Sequence, residues 1–385
     1  MIAYGRQCIE QDDIDAVVAV LESDFLTQGP QVPAFESMLA SYCGARRGVA
    51  VSSATSALHI ACLALGVGTG DWVWTSPITF VASANCALYC GAEVDFVDID
   101  PRTYNLCANA LEAKLILAER QGRLPKVVIP VDLAGQSCDM RAIRELGDRY
   151  GFAIIEDASH AVGARYRGEP VGSCRYSDIT IFSFHPVKII TTAEGGLALT
   201  NDDGLADRME MLRSHGITRN PVLLQRGGGE GWYYEQQALG FNYRMTELQA
   251  ALGRSQTTKL DRFVARRRDL ADIYDAALAS LDVVLPWRDP QTLSSFHLYI
   301  IRVSDDPAAL RRQVYDSLHR DGVGANVHYI PVYLQPFFRD LGFAPGLCPQ
   351  AERYYRTAIS IPLHPAMSAN DQAVVIEAVE KAVRR

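Results

Sequence analysis

Between positions 48 and 200, short apolar runs rich in β-branched residues alternate with longer segments of helical periodicity. No other feature narrows the possible folds as much. Runs at 48–52, 72–76, 92–98, 126–132, 152–157 and 179–183 read as strands. Segments 57–65, 80–90, 111–119 and 140–150 read as the helices between them. Strands joined through helices pair in one direction, so the pattern predicts an α/β protein with a mostly parallel central sheet. Such sheets bind ligands beyond the carboxyl ends of their strands. Thr55 follows the first run, Asp157 closes the fifth and Ser183 closes the sixth, so the three can meet in space.

The flanking sequence extends this frame. Residues 1–10 read as an extended arm, and Asp12 or Asp13 as the cap of a helix running to about 22. Residues 26–30 break it, and a second helix is expected over 32–42. After Thr200 come a helix at 205–215, a glycine-rich loop at 226–231 expected to be mobile, and a helix at 245–256. The charged segment 260–278 reads as a bridging helix. A strand at 296–303, a helix at 307–321, an extended stretch at 326–333 and two closing helices follow. With 385 residues the chain can hold two domains, expected at 1–254, with the arm, and 255–385 as a smaller α/β domain.

Bulk properties exclude several functions. A formal charge of -8 argues against a general nucleic-acid or anionic-membrane surface, though local basic groups can still bind a small anion. The 9 cysteines are odd in number, scattered and without a CxxC pair, which fits free thiols in a reducing compartment. The start of the chain lacks a signal-peptide pattern, and no run reaches the roughly 18 apolar residues of a membrane span. A cytoplasmic location is therefore expected. No Walker-type phosphate loop or GxSxG elbow occurs, and Gly66-x-Gly68-x-Gly70 follows a helix where a dinucleotide fingerprint follows a strand. His297, His319 and His364 lack metal-type spacing and read as structural; His328, between apolar residues and beside Tyr329, taken alone reads more readily as a core or surface residue than as a ligand contact.

One segment demands chemistry. Residues 179–196 run ITIFSFHPVKIITTAEGG, a buried-looking strand that turns at His185-Pro186 and delivers Lys188 before a second apolar run. Burying an unpaired ammonium costs several kcal/mol, on the order of 3 or more. Taken alone, Lys188 is equally a solvated loop residue. Other residues supply a use for it. A lysine amine forms an imine with an aldehyde. Asp157, ending a buried strand, needs a cationic partner. The small-hydroxyl turn at 52–57 reads as a capped helix start or as an anion seat, in which Thr55 with Ser183 holds a phosphate. Phe80 can cover a flat ring. Pyridoxal 5'-phosphate uses all four features.

The blocks SATSALH, SPITFVASAN, IEDASHAVGARYRG, SFHPVKIITTAEGG and GFNYRMTELQAALG resemble those of the DegT-type sugar aminotransferases, along essentially the whole chain. The resemblance implies the aspartate aminotransferase fold, fold type I of the pyridoxal-phosphate-dependent transferases. It implies that Lys188 is the Schiff-base lysine and that Asp157 pairs with the pyridinium nitrogen. Ala54, Thr55 and Ser183 would hold the phosphate, and Phe80 would stack on the ring. His160 stands where many members carry Gln, near the cofactor's face or phenolic oxygen. Asn242 resembles a residue that reaches the phosphate from a neighbouring subunit, which implies a homodimer with shared sites. AYGRQ, DFLTQGP and NVHYIPVYLQPFF are similar to the branch that aminates a UDP-linked 4-keto-sugar of the pseudaminic acid pathway, with L-glutamate as the expected donor. By that likeness Tyr4, Leu26, Thr27, Asn326, His328 and Tyr329 line the sugar-nucleotide site. A dehydratase branch of the family carries histidine in place of the lysine, and Lys188 argues against it. A cofactor-binding regulator without turnover, and an aminotransferase for another keto-sugar, are the rival readings.

Overall fold

The computed structural model describes residues 1–226, 230–304 and 310–384. Its centre is a seven-stranded sheet. In chain order the strands are β1 (Arg47–Val51), β2 (Trp72–Thr75), β3 (Glu93–Phe96), β4 (Val127–Ile129), β5 (Ala153–Asp157), β6 (Ile179–Ser183) and β7 (Gly196–Thr200). Across the sheet they lie β1-β7-β6-β5-β4-β2-β3. The five from β3 to β6 are parallel, and β7 is inserted antiparallel between β6 and β1. Every residue of β4, β6 and β7 is buried. Sheets covered on both faces give such unbroken apolar runs.

Helices on the two faces follow from the periodicity. Among them are α1 (Gln11–Leu21), α2 (Gln31–Cys43), α3 (Ala54–Ala64), α4 (Ala82–Tyr89), α5 (Ala108–Gln121), α6 (Met140–Tyr150), α7 (Asp203–Arg213) and α8 (Glu247–Thr257). One boundary differs instructively. Neither Asp12 nor Asp13 caps α1; Glu10 is the cap, and the Asp13 carboxylate reaches back to accept the Glu10 amide at 2.8 Å. The capping box reverses the expected order of roles.

Helix α9 (Leu260–Leu278) contributes to two cores. Leu260, Phe263 and Val264 pack beside the central sheet, whereas Leu270, Tyr274 and Leu278 pack in a second core with Tyr299, Val314 and Val379. That second core lies on a three-stranded antiparallel sheet of Val283–Val284, Tyr299–Val303 and Ala358–Ile361. The strand Ala358–Ile361 corrects the expectation of two closing helices. It is too short for a strong alternating signal and is buried at all four positions. Helices Pro336–Asp340, Pro349–Thr357 and Ala369–Val383 surround it. The strand at 299–303 also starts later than the expected 296, because Phe296 adopts φ 49° in the left-handed region. The expected helix at 307–321 is seen as Leu310–Arg320, and its first residues lie outside the described ones. The middle of the glycine-rich loop, 227–229, lies outside them too. The N-terminal arm reaches this second core, Ile2 bridging Val323 in parallel.

The topology gathers chemistry at one edge of the large sheet. Strands β1 to β6 end there and β7 begins there. Asp157 pairs with Ile181, and Gly196 lies opposite both Val51 and Ser183.

Candidate active site

Beyond that edge lies a cavity of about 700 Å³. It is lined by Ala54, Thr55, Phe80, Asp157, His160, Ser183 and Lys188, and on the opposite side by Tyr4, Asn326, His328 and Tyr329. Residues up to 325 positions apart in the chain, counted from Tyr4 to Tyr329, are thus brought to one wall.

At one end, Ser53 caps α3 by accepting the Ser56 amide at 3.1 Å, and its hydroxyl lies 2.9 Å from that of Ser56. The amides of Ala54 and Thr55 donate to nothing among the described residues and line the cavity beside Ser183. Capping and anion seat are therefore compatible roles of one turn, with Ser53 capping and Ala54–Thr55 free to hold phosphate oxygens. Gly196 makes the seat possible. A Cβ there would stand 2.5 Å from the Ala54 nitrogen.

Asp157 is buried and accepts from Ser83 Oγ at 2.6 Å, Ser159 Oγ at 2.6 Å and the Ser159 amide at 3.2 Å. No arginine or lysine forms a salt bridge with it among the described residues. Such a carboxylate fits a cationic ring nitrogen. Lys188 sits on the turn after β6, its amide bonded to the His185 carbonyl at 2.9 Å. Burial pushes its amine down to about 8, and the negative charge of Asp157 opposes part of that shift. A neutral amine is the form that attacks a carbonyl or accepts a proton. Phe80 is 61% exposed, leaving a ring face open to the cavity. The donor set therefore fits pyridoxal phosphate: amides and hydroxyls for the phosphate, a carboxylate for the ring nitrogen, and an amine for the aldehyde.

The other wall is aromatic and imidazole-rich. His328 Nδ1 lies 2.8 Å from Ser360 Oγ, and its ring packs 5.2 Å from Tyr4. Burial, assisted by the charge on Lys188, pushes His328 down to about 3, so it is neutral at physiological pH. His160 lies between Ala134 and Tyr329, with hydrogen bonds of 3.3 and 3.2 Å.

Three candidates lie elsewhere. Leu26 and Thr27 are exposed, with the Leu26 carbonyl accepting the Glu247 amide at 3.1 Å. Asn242 is exposed on a loop bridged to Ser214. None lines this chain's cavity. No arginine lines it either, and Lys188 is the single lysine on its walls among the described residues. Sequence reasoning also missed contacts. His297, read as structural, lines the cavity with its ring 4.3 Å from that of His160; metal spacing was the wrong criterion for a residue placed by a chain reversal. Ser159, two residues after Asp157, carried a local signal of an Asx-type bond. Ser83, 74 residues away, carried none.

The architecture is that of the fold type I pyridoxal-phosphate-dependent transferases. The chain belongs to the DegT/DnrJ/EryC1/StrS aminotransferase family, whose model matches residues 7–380. It is 37% identical over 377 residues to the UDP-4-amino-4,6-dideoxy-N-acetyl-beta-L-altrosamine transaminase of Campylobacter jejuni, covering 97% of this chain and 96% of that one. It is also 37% identical to the spore coat polysaccharide biosynthesis protein SpsC of Bacillus subtilis, over 100% of this chain and 97% of that one. Among solved structures, Helicobacter pylori PseC, an aminotransferase involved in the biosynthesis of pseudoaminic acid, superposes with a TM-score of 0.91 at 32% identity, covering 100% and 99% of the two chains. The thiols are all free. Among the described residues no group could hold a metal ion, and no helix is long and apolar enough to cross a membrane.

Proposed function

We propose that this protein is a pyridoxal-phosphate-dependent aminotransferase that moves an amino group from L-glutamate to C4 of a UDP-4-keto-6-deoxy-N-acetylhexosamine, in the manner of the pseudaminic acid pathway. One observation carries the reading. A lysine amine pushed down to about 8 shares a cavity with a buried carboxylate that forms no salt bridge among the described residues, and a free-amide turn stands beside them. When bound, the cofactor supplies an electron sink for the carbon that loses its proton.

The chain's own residues then divide the work. Ala54, Thr55 and Ser183 hold the phosphate. Asp157, aligned by Ser83 and Ser159, keeps the ring nitrogen protonated. Phe80 and His160 cover the ring, and Lys188 takes and returns the proton through its Nζ. Tyr4, Asn326, His328 and Tyr329 line the sugar side. Leu26, Thr27 and Asn242, exposed on this chain, complete the site of a second copy in a homodimer. Lys188 alone cannot balance a diphosphate and the donor's carboxylates, and a second copy is the natural source of further cations. A second reading, an aminotransferase for another nucleotide-linked keto-sugar, is favoured by the equal identity to SpsC. A regulator without turnover would have no use for a free amine at Lys188.

The test offers the purified protein L-glutamate and a panel of UDP- and dTDP-linked 3-keto and 4-keto sugars, and identifies the amino sugar formed. A 4-amino-4,6-dideoxy UDP-sugar with stoichiometric 2-oxoglutarate supports the first reading. Another amino sugar favours the second, and no product with any sugar favours the regulator.

A further inference from the structure

His160 has a fixed hydrogen-bond polarity. The Ala134 N–H donates to His160 Nδ1 at 3.3 Å. A ring nitrogen that accepts from an amide carries no hydrogen. Burial, reinforced by the charge of Lys188, holds the imidazole neutral. Its one ring proton therefore sits on Nε2, which faces the Tyr329 hydroxyl at 3.2 Å. The imidazole donates and the phenol oxygen accepts.

The amide that sets this polarity is firmly held. Ala134 adopts φ 60°, a conformation unfavourable for a residue with a side chain and retained only under external constraint. The constraint is visible. Ser295 donates its amide to the Gly135 carbonyl at 3.0 Å and its hydroxyl to the His160 carbonyl at 3.1 Å. Gly135 itself, at φ 97°, has no room for a Cβ, which would stand 2.6 Å from Ser295 Oγ and 2.9 Å from the Phe296 amide. His297 packs its ring 4.3 Å from that of His160. Three chain segments thus clamp one imidazole in one tautomer.

We propose that Tyr329 is a fixed hydrogen-bond donor into the cavity, and that the ligand atom facing it is an acceptor with no hydrogen of its own, the carbonyl oxygen of the keto-sugar. The inference rests on the keto-sugar reading of the site. The phenol oxygen already accepts from His160, and its own hydrogen has no acceptor among the described residues. Burial, with the charge of Asp157, raises the phenol and keeps it protonated. A carbonyl takes that hydrogen without further demands. A sugar hydroxyl in the same place must also place a hydrogen of its own, so Tyr329 favours the keto form over the 4-hydroxyl sugar.

Two measurements test this. Nitrogen-15 spectra of histidine-labelled holoenzyme, with His160→Gln used for assignment, should show His160 protonated at Nε2 and bare at Nδ1. Protonation at Nδ1 overturns the proposal. Binding of a UDP-4-keto-6-deoxy-N-acetylhexosamine should weaken about tenfold or more in Tyr329→Phe, while UDP-N-acetylglucosamine weakens less than about threefold; equal losses overturn it. His160→Gln preserves the polarity, since its amide oxygen can accept from Ala134 and its amide nitrogen can donate to Tyr329. It should keep the keto preference, whereas the acceptor-only His160→Glu should lose it, and the opposite pair of results overturns the proposal. If the wild-type protein binds neither sugar, the keto-sugar reading fails and the tautomer measurement still decides the polarity of Tyr329.

Discussion

Lys188 is a residue whose place determines its chemistry. Burial brings its amine from the ordinary 10.5 to about 8, with Asp157 opposing part of the shift. Reductive trapping of pyridoxal phosphate on the apoprotein needs the neutral amine. Its rate should rise about tenfold per pH unit below pH 8 and level off above it, where a solvated lysine would keep gaining until its own, higher value. Mass spectrometry of the trapped adduct against pH measures this, and a plateau only above pH 10 would refute the desolvated environment. Lys188→Ala should abolish trapping and turnover with little change in thermal unfolding, because the amine forms no salt bridge in the described structure. At this scale much was legible. Lys188, Asp157, Thr55, Ser183, Phe80 and the 326–329 cluster were named from sequence, and all line the same cavity. The residues that orient them were not. Ser83 reaches Asp157 across 74 positions, and His297 reaches His160 through a turn that no periodicity announces.

Elements place these residues, and two contacts between elements can be tested. The start of β7 passes so close to the start of α3 that a Cβ on Gly196 would meet the Ala54 nitrogen at 2.5 Å and the Ser53 carbonyl oxygen at 2.6 Å. Gly196→Ala should displace the free amides of that turn. Cofactor affinity should fall at least about tenfold and stability by about 1–3 kcal/mol, read by fluorescence titration and urea unfolding. Gly68→Ala, where a Cβ meets nothing within 4 Å, is the control and should change neither. The second contact docks α1 against the last turn of α8 and Lys259 just after it. Asp13 is fully buried and bonded to Lys259, Ser255 and Gln256 at 2.6–2.8 Å. Burial alone would raise its carboxyl, but these donors together hold it below the ordinary 3.8. An acid lowered by folding contributes stability that is complete above its unfolded value and lost as pH falls through its folded one. Lys259→Met should cost about 3 kcal/mol at neutral pH, and the deficit should narrow as the pH falls toward 3.8 and Asp13 protonates in the variant. A deficit independent of pH would mean that Lys259 acts through packing alone. The strands and helices of the large sheet were legible because short β-branched apolar runs alternate there with longer segments of helical period. Ala358–Ile361 was not, since four buried residues fit a strand or a helix equally.

At the scale of the molecule, the cavity is one-sided. Among the described residues its walls within one chain supply a single lysine or arginine, Lys188, while Thr27 and Asn242 lie exposed outside it. Exposed apolar side chains, Phe25, Leu26, Trp232 and Leu239 among them, accompany these residues in the chain. Sequence similarity could suggest that Asn242 serves a neighbour's site, but no single chain can display that arrangement. The proposed sharing of sites makes a quantitative prediction. A Lys188→Ala chain and an Asn242→Asp chain should each be nearly inactive alone, the second because a carboxylate would face the cofactor phosphate. Mixed at equal amounts, unfolded and refolded together, half of the dimers are hybrids under random pairing. Each hybrid has one site with both residues altered and one site with both intact. Activity should therefore recover to about one quarter of wild type under C2 pairing. If Asn242 acted within its own chain, each hybrid site would carry one defect and no recovery would appear. Sedimentation of the mixture separates that outcome from a failure to re-form dimers, and recovery near one quarter would assign Asn242 to the opposite subunit's site.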